Sequence, residues 1–441
     1  MNLGLKAASV ILLFFSCAER RAATTIQPSR EEPKGALIVA YNRRLLAIAN
    51  AEDHLLTLKG ARTLAMMHLA VHDALNAIVP RYASYLDLES APDADPTAAA
   101  AQAAHDVAVQ QYPNAGDELA LELDTWLLPL ADGPAKASGR ALGRAAAAAI
   151  SKARQSDAWD ADGGYQLAPP GPGVYATFSA HSGTPPDFVF GSGWGRARPF
   201  LLQGPQQFPL PPPPRIDSSA YAEAFEEVKS LGRFDSAVRT ADQTHAAFWW
   251  KDFVENSLNR LAADWVIGKA DLWESARLFA LINASIFDGY VHAFASKFFF
   301  NHWRPYTAIR QADNDGNPNT VPDPDWDNTH HHTYPFPSYP SAHATVCAAP
   351  LSILSSTFGD AQPFSMVTAQ VNEGGPLSPL MDVTPPARSF ESFSAAAKEC
   401  ALSRVYLGIH FRYDSEAGNA LGTQIGQYAL QHFLVPLERA R

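Results

Sequence analysis

Residues 335–345 read PFPSYPSAHAT, a stretch in which a run of prolines stops and small residues begin. Ser341 is a natural N-cap for a helix that starts there. The free N–H groups of a first helical turn and the positive end of the helix dipole favour an anion, and His343 lies in that turn. The stretch predicts either an anion site, with His343 as donor or as acid and base, or a capped helix with a buried histidine.

A second stretch, KFFFNHWRP at residues 297–305, places two cations near the end of a predicted helix. Lys297 continues the apolar face of the helical pattern at 271–299, where a lysine needs an anion or a route to water. Arg304 follows where the helix should end, because Pro305 disfavours helical backbone at the residue before it. Taken alone, the stretch also fits a lysine that reaches solvent and a surface arginine.

A third stretch, SRVYLGIHFRYD at residues 403–414, combines a cation, a histidine and a carboxylate. Helical spacing points Arg404 toward the core, and Gly408 suits a helix end. His410 then lies in a turn, and Asp414 at the start of the next helix can accept one ring N–H of His410. That bond would fix the tautomer and leave the other ring nitrogen free to attack or to ligate.

Together the three stretches supply three permanent cations, a helix N-terminus, a histidine with its orienting carboxylate and a second histidine for proton transfer. A highly charged tetrahedral or trigonal-bipyramidal oxyanion needs this set. The cations balance its charge, one histidine provides the apical atom, and the other moves protons.

The order K-x6-RP, PSxH and SR-x5-H-x3-D resembles the signature shared by vanadium-dependent haloperoxidases and the type-2 phosphatidic acid phosphatase (PAP2) superfamily. These motifs cover about 120 residues, from Lys297 to Asp414. The runs WRPxTAIR, PFPxYPSxHAT and HFRYDxEAG look like those of the soluble bacterial haloperoxidase-type members. The resemblance implies an all-α fold built on helical bundles.

The resemblance also implies how the oxygens of vanadate or phosphate are held. Ala342 stands where the family usually has a glycine whose N–H donates to the anion, and its N–H can still donate unless its φ is positive. Its Cβ adds bulk to the pocket. The implied oxyanion-binding residues are Lys297, Arg304, Ser341, Ala342 and Arg404.

For catalysis, the resemblance implies that His410 is the axial vanadium ligand or, in a phosphatase, the nucleophile that forms a phosphohistidine. Asp414 would orient His410, and His343 would be the acid and base. Phe336 matches an aromatic position near the halide site of chloroperoxidase-like members.

These implied roles lead first to a vanadate-dependent haloperoxidase that oxidises a halide to a hypohalous species with hydrogen peroxide. The alternatives are a soluble phosphatase of phosphomonoesters and a non-enzymatic phosphate- or vanadate-binding relative. The expected cofactor is vanadate, or phosphate as the bound group of a phosphatase. The expected partners are small molecules, namely hydrogen peroxide and a halide, or a phosphate ester; the sequence gives no oligomeric state.

Charge and composition disfavour three other classes of protein: nucleic-acid-binding, disulfide-rich and membrane-spanning proteins. The 441 residues include 34 Lys and Arg against 45 Asp and Glu, a net charge of −11, which disfavours general nucleic-acid binding. Three cysteines are too few for a disulfide scaffold, and whether Cys347 and Cys400 pair is left open. After the N-terminal segment no uncharged apolar stretch reaches 18 residues, so we expect no membrane span.

The chain divides into four predicted segments. Residues 1–22 are typical of a signal peptide, because a short apolar run follows Lys6, and we expect export to the periplasm or beyond. Cys17 directly after that run leaves open a lipid anchor. The remaining segments are an N-terminal helical half at 34–155, a Pro/Gly-rich excursion at 156–217 and a haloperoxidase/PAP2-like catalytic core at 218–437.

Helical periodicity supports this division, and convincing alternating strands are missing from the pattern. Two further motifs could suggest metal sites. His68 and His72 are one turn apart on a predicted helix, but core histidines are the simpler interpretation. The Asp/Asn-rich stretch 313–332, which ends in three histidines, is interpreted as a solvated loop. The helical patterns lie at 61–79, 98–111, 117–129, 136–155, 218–231, 236–264, 271–299, 341–357, 389–408 and 414–434.

Overall fold

Helices make up nearly all of the regular structure, as the sequence predicts. The computed structural model describes residues 35–368, 383 and 386–437, so the proposed signal peptide and Cys17 lie outside the described residues. Within these residues the chain forms fourteen α-helices and one two-stranded antiparallel sheet. The elements are α1 (Ala36–Asp53), α2 (Leu58–Ile78), α3 (Pro96–Gln111), α4 (Gly116–Leu127), α5 (Pro134–Ala153), α6 (Ser179–Ser182), α7 (Ser219–Leu231), α8 (Ala241–Trp249), α9 (Val254–Val266), α10 (Leu272–Phe300), α11 (Pro305–Arg310), α12 (Ala342–Phe358), β1 (Phe364–Val367), β2 (Ala387–Phe390), α13 (Phe393–Tyr406) and α14 (Arg412–His432).

Helix α10 is the centre of the fold. It begins at a capping box formed by Asp271 and Glu274 and ends at Asn301, whose backbone is left-handed. It packs against α2 on one side and against α12 and α14 on the other. By length and composition it could cross a bilayer, but 89% of its most apolar window is buried inside the protein. It is therefore weak support for a membrane span.

A stripe of glycines lets α14 lie directly on α12. A Cβ added to Gly418, Gly422 or Gly426 would come within 2.1–2.4 Å of backbone oxygens of α12 or of its N-cap residue. These three residues are spaced four apart, so they share one helix face. The close contact brings the starts of the two helices together, and the Ser341 N–H donates to the Asp414 carbonyl at 2.9 Å.

The single helix predicted at 236–264 is wrong, because the chain forms α8 and α9 with a break between them. Phe253 has extended backbone, with φ −61° and ψ 131°, and it precedes the first residue of α9. Lys251 and Asp252 in the break are buried. The break turns this polar segment toward the interior, which helical spacing alone does not reveal.

The short sheet is the one strand structure that the sequence pattern missed. Phe364 pairs with Phe390, and each strand has four residues. Residues 389 and 390 belong to β2, so the helix predicted from 389 begins at Phe393, after the N-cap Ser392.

The solvated-loop prediction for 313–332 is wrong at its histidine end. His330 and His332 are buried, whereas His331 between them is exposed. The Asn328 side-chain amide donates to the His332 carbonyl at 3.0 Å and to the Thr333 hydroxyl at 2.8 Å, which fixes the turn inside the protein. In the described part of the chain, no group of three or more His, Cys, Asp or Glu residues is placed to hold a metal ion.

Cys347 and Cys400 are free thiols in the structure. Both are buried, and they contact each other between α12 and α13.

Candidate active site

A cavity of about 120 Å³ lies where α10, α12 and α13 meet the middle segment of the chain. One end is polar and contains Ala342, His343, Arg404 and His410. The rest of the lining is mainly aromatic and aliphatic, and it also includes Lys251 and Asp252. The cavity therefore joins a charged site to an apolar one.

The start of α12 forms one wall of the polar end. Ser341 is the N-cap, and its Oγ accepts from the Ala344 N–H at 3.3 Å. The hydroxyl hydrogen of Ser341 remains available to donate. Ala342 is the first helical residue and has no positive φ, so its N–H points out of the helix start as a glycine's would.

His410 is held in one tautomer by its neighbours. Its Nδ1 donates to Asp414 Oδ2 at 2.9 Å, and its Nε2 accepts from Arg304 Nη1 at 3.1 Å. Asp414 Oδ2 also accepts from the Ser338 hydroxyl and from the Phe411 N–H at 3.1 Å. The lone pair of His410 therefore lies on Nε2, on the side of the cations.

Three cations surround this histidine, and each is fixed mainly by carbonyl or hydroxyl oxygens. Lys297 donates to the carbonyls of Pro337 and Ser338 at 3.0 and 2.7 Å. Arg304 donates from Nη1 to the Ile409 carbonyl at 2.9 Å, while its Nη2 is buried without a partner.

Arg404 completes the set. It donates to the Ser403 hydroxyl at 3.1 Å and to the Ala247 carbonyl at 3.3 Å. Among the described residues, neither it nor the other two cations forms an ion pair with a carboxylate. Asp414 is one nearby carboxylate against three buried cations, and an excess of buried positive charge is costly, so this arrangement favours a bound anion.

Burial and repulsion between like charges lower the pKa values of the cations and of His410, which disfavours their protonated forms. Burial, with the charge of Arg304, lowers the pKa of Lys297 well below its ordinary value. Burial lowers the pKa of Arg304 to about 10. Burial first, and then the cations, lowers the pKa of His410 well below 6.5, so at pH 7 its ring is neutral and its Nε2 lone pair accepts from Arg304 Nη1.

Asp414 is the single carboxylate bonded to His410 in the described structure. Burial raises its pKa to about 6, while the Ser338 hydrogen bond and the charges of Lys297 and Arg304 oppose a larger rise.

His343 lies in the first turn of α12 and lines the cavity. Its Nε2 has no hydrogen-bond partner among the described residues. Burial and the nearby Arg404 lower the pKa of His343 well below 6.5, so it is neutral at pH 7 and can accept a proton. The unpaired nitrogen is thus available to a ligand or substrate.

The sequence-predicted residues take different positions around the cavity. Arg304 and Asp414 form hydrogen bonds with His410. Lys297 and Ser341 are not among the residues that line the cavity and lie behind its wall. The Ser341 N–H donates to the Asp414 carbonyl. The predicted residues that line the cavity are Phe336, Ala342, His343, Arg404 and His410.

Sequence reasoning missed three parts of this site. Ser338 bonds Asp414 and lies 3.3 Å from His410 Nδ1, and Lys251 lines the cavity. Phe190 and Trp194, from the Pro/Gly-rich excursion, form part of its apolar wall. The signal for Ser338 was its place within the quoted stretch 335–345. Phe190 and Trp194 are residue types that favour burial, but nothing in the sequence places them at this site.

Comparison with known proteins finds a matching family and a similar curated protein, and both are of the vanadium chloroperoxidase type. Residues 277–438 match the family described as the VCPO second helical-bundle domain. Vanadium chloroperoxidase from Curvularia inaequalis is 30% identical over 176 residues, which cover 32% of this chain and 28% of that protein. The match thus spans less than a third of that relative's length.

Two solved structures share the fold over most of the chain. The first bacterial vanadium-dependent iodoperoxidase structure has a TM-score of 0.71 at 23% identity, covering 93% of this chain and 100% of that one. The holo-type bacterial vanadium-dependent chloroperoxidase has a TM-score of 0.64 at 19% identity, covering 84% and 90%.

Fold and site together define an all-α bundle protein with a buried, cation-rich oxyanion site. The comparisons support a place for this chain in the vanadium haloperoxidase superfamily, with the family match confined to residues 277–438. Its own residues fit vanadate or phosphate, because Arg304 Nη2 and His343 Nε2 are buried polar atoms that lack partners in the described structure.

Proposed function

We propose that this protein is a vanadate-dependent haloperoxidase that uses hydrogen peroxide to oxidise a halide. The observation that carries the proposal is the neutral His410, whose Nε2 lone pair is held among three buried cations. The haloperoxidases among its relatives support the same activity. Vanadate bound there would supply a Lewis-acid centre that activates peroxide without a change in its own oxidation state.

The chain's own residues then have separate tasks. Arg404, which lines the cavity, would bind oxygens of the anion, and Arg304 and Lys297 behind the wall would help to balance its charge. Asp414 keeps the proton of His410 on Nδ1, so Nε2 is the ring nitrogen that would hold vanadate. His343, which lines the cavity, would hold or release a proton at Nε2, which has no partner among the described residues.

The apolar part of the cavity keeps bulk water away from these groups. Phe336 is its nearest member, with its ring centroid 4.7 Å from Arg304 Cζ and 5.2 Å from Lys297 Nζ. A less polar surrounding strengthens every interaction between the cations and an anion.

Addition of vanadate to the purified apo-protein tests the proposal. We expect halide-dependent peroxidase activity to appear with vanadate, and excess phosphate to suppress it because phosphate has nearly the same charge and shape. Vanadate binding is followed independently by its ⁵¹V nuclear magnetic resonance signal. The same preparation without halide is the control.

The other outcomes are distinct. Hydrolysis of a phosphomonoester that vanadate inhibits would replace the proposal with a phosphatase, because five-coordinate vanadate mimics the phosphoryl transition state. Anion binding without any turnover would indicate a non-enzymatic relative. If neither anion binds, the oxyanion site itself is wrong.

Export is a further part of the proposal. Residues 1–22 would direct the chain out of the cytoplasm, and Cys17 would carry a lipid if the signal is of the lipoprotein type. Fractionation of expressing cells, with mass spectrometry of the mature N-terminus, tests this. A chain that keeps residue 1 and stays in the cytoplasm would contradict it.

A further inference from the structure

Glu255 is a buried acid at the start of α9, one residue after Val254, which lines the cavity. Its side chain is 3% exposed, and its Oε2 has no hydrogen-bond partner among the described residues. The same carboxyl group forms a hydrogen bond with the hydroxyl of Tyr290, a residue of α10 that lines the cavity. One hydroxyl therefore connects a buried acid to the space in which the proposed reaction takes place.

A second buried acid, Asp288, shows how a structural carboxylate is held in this protein. Its two oxygens accept from the backbone N–H groups of residues 200–202 at 2.6–2.8 Å, which ties the middle segment to α10. Glu255 has no comparable set of donors, and in the described structure it forms no ion pair. A buried carboxyl group in such surroundings favours its protonated form.

The protonation of Glu255 is balanced near neutral pH. Burial raises its pKa to about 7, and the charges of nearby acids act in the same direction, while the hydrogen bond with Tyr290 opposes the rise. An acid with a pKa near the working pH can both release a proton and recover it. The other titratable groups that act on the pair carry no positive charge: Asp53 of α1, Asp252, Tyr334 and Cys347 of α12.

Tyr290 and His343 reach the cavity from two helices that pack on each other. A Cβ added to Gly289, next to Tyr290, would lie 3.1 Å from the Val346 side chain of α12. His343 lies in the first turn of that helix, and its Nε2 has no partner among the described residues. A molecule as small as hydrogen peroxide can therefore contact either side chain.

We propose that Glu255 supplies a proton to the cavity through the hydroxyl of Tyr290, so that the site has a proton source besides His343. This inference rests on the proposed haloperoxidase function, because that reaction consumes one proton in each turnover. Tyr290 is the member of the pair that contacts the substrate, and Glu255 acts through it.

The proton transfer balances with the reagents of the proposed function. Hydrogen peroxide takes two electrons from the halide as its O–O bond breaks, and with one proton this gives a hypohalous acid and one water. The Glu255 O–H bond breaks as its proton passes to the Tyr290 oxygen, and the Tyr290 O–H gives its own proton to a peroxide oxygen. Glu255 is left as a carboxylate and takes up a proton from solvent before the next turnover.

Two variants each remove one link and keep the shape of the side chain. In the full-length protein loaded with vanadate at pH 7, Glu255→Gln and Tyr290→Phe should each lower kcat at least about tenfold. The KM for peroxide should change less than about twofold, because the anion site is untouched. The double variant should lose no more than either single variant, since both break the same route.

Rescue and a matched control separate this role from packing. Glu255→Asp keeps an acid at the same position, so it should be at least about threefold more active than Glu255→Gln. Tyr41→Phe removes a buried tyrosine hydroxyl from a residue that does not line the cavity. It should leave kcat unchanged.

Infrared spectroscopy tests the pair without turnover. A protonated carboxylic acid has a carbonyl band that a carboxylate lacks, and the band of Glu255 is the one that disappears in Glu255→Gln. In the vanadate-loaded protein we expect this band to fade as the pH rises through about 7. It should move to higher frequency in Tyr290→Phe, because a hydrogen bond to the acid is lost.

The outcomes separate the inference from the proposed function. An active wild type whose kcat is unchanged in Glu255→Gln and Tyr290→Phe would overturn the inference and leave the proposed function intact. Equal activities of Glu255→Asp and Glu255→Gln, or the lack of the infrared band, would overturn it as well. A protein without peroxidase activity, in which the band is present and moves in Tyr290→Phe, would contradict the proposed function and support the hydrogen-bonded acid pair.

Discussion

Two regions of this protein bury a pair of histidines, and they differ in what surrounds the rings. His68 and His72 lie one turn apart on α2. His68 Nε2 is 2.9 Å from Asn42 Oδ1, and His72 is bonded to Asp73 and Asn76 at 3.2 Å each. This first pair, in α2, has amide and carboxylate partners and packs among apolar side chains.

The second pair, His343 and His410, lies among cations. Arg304, Lys297 and Arg404 all act on His410, and Arg404 acts on His343. For His68, burial by itself lowers the pKa to about 3. The two pairs are therefore similar in burial and different in electrostatic potential.

The difference separates a structural histidine from a functional one. A buried histidine whose partners are amides and a carboxylate, with no cation beside it, completes the packing of a core. A buried histidine surrounded by positive charge has an environment that is stable only with an anion, so it marks a ligand site. The interpretation of His68 and His72 as core residues is confirmed by their contacts.

The largest expected effect comes from His410→Ala. The variant should lose at least about 10³-fold in turnover, because the axial nitrogen is removed from either the peroxidase or the phosphatase mechanism. Vanadate should still bind weakly through Lys297, Arg304 and Arg404. Steady-state kinetics and ⁵¹V resonance measure the two quantities separately.

His68→Ala is the matched change in the other pair. It should lower the free energy of unfolding while turnover of the folded protein changes less than about twofold. Unchanged turnover in His410→Ala would remove the proposed mechanism and make the two histidine pairs equivalent.

A second prediction concerns pH and uses His68→Gln. With a pKa of about 3 in the folded protein, His68 binds fewer protons than it does in the unfolded chain, where its pKa is about 6.5. Its contribution to stability is complete above pH 6.5 and is lost as the pH falls toward 3. Between pH 7 and pH 4 the wild type should lose about 3 kcal/mol more unfolding free energy than the variant.

Urea unfolding of both proteins at pH 7, 5.5 and 4 measures this difference. Gln at position 68 keeps a donor for Asn42, so the comparison at pH 7 shows the cost of the substitution alone. Parallel pH curves would show that His68 is not the buried neutral group described above.

The helical fold could be predicted because helical periodicity is a local property. The break at Lys251–Phe253 could not, since its polar residues are buried by tertiary packing while their spacing still looks helical. Strands β1 and β2 have four residues each, too short for alternation to stand out from chance.

The charged end of the site could be predicted because its residues occur in three dense motifs. Lys297, Arg304, Arg404 and His410 are unusual residue types for apolar helical surroundings, so each required an explanation. The aromatic end could not be predicted. Its rings come from a segment without periodicity, and close packing on α10 places them.

Ser338→Ala should have a smaller effect than the loss of His410. Ser338 donates to Asp414 and holds its pKa down, so its loss should weaken vanadate binding about tenfold, the lower range for residues that support a metal ligand. The pKa of Asp414 should rise, and the acidic limb of the pH–activity profile should move to higher pH. Calorimetric vanadate titration and a pH series measure both effects.

Ser415→Ala is the control for this change. Ser415 is equally buried, but its hydroxyl has no partner among the described residues. It should change neither vanadate affinity nor the pH profile. If both serine variants behave alike, Ser338 has no specific role in orienting His410.

The smallest effect is expected from Ala342→Gly, which introduces the glycine that the sequence resemblance implies at this position. The Ala342 methyl packs in the cluster that contains Phe190, Trp194 and Phe336, and its N–H belongs to the free donors at the start of α12. Removing the methyl therefore leaves the donor in place, and vanadate affinity should change less than about threefold. Unfolding free energy should fall by about 1 kcal/mol, because glycine is a poorer helix residue and a buried methyl is lost. A tenfold gain in vanadate affinity, measured by calorimetry, would show instead that the methyl occupies the space of the anion. The Ala342 methyl would then limit how far a bound anion extends from the cationic end toward the aromatic end of the cavity.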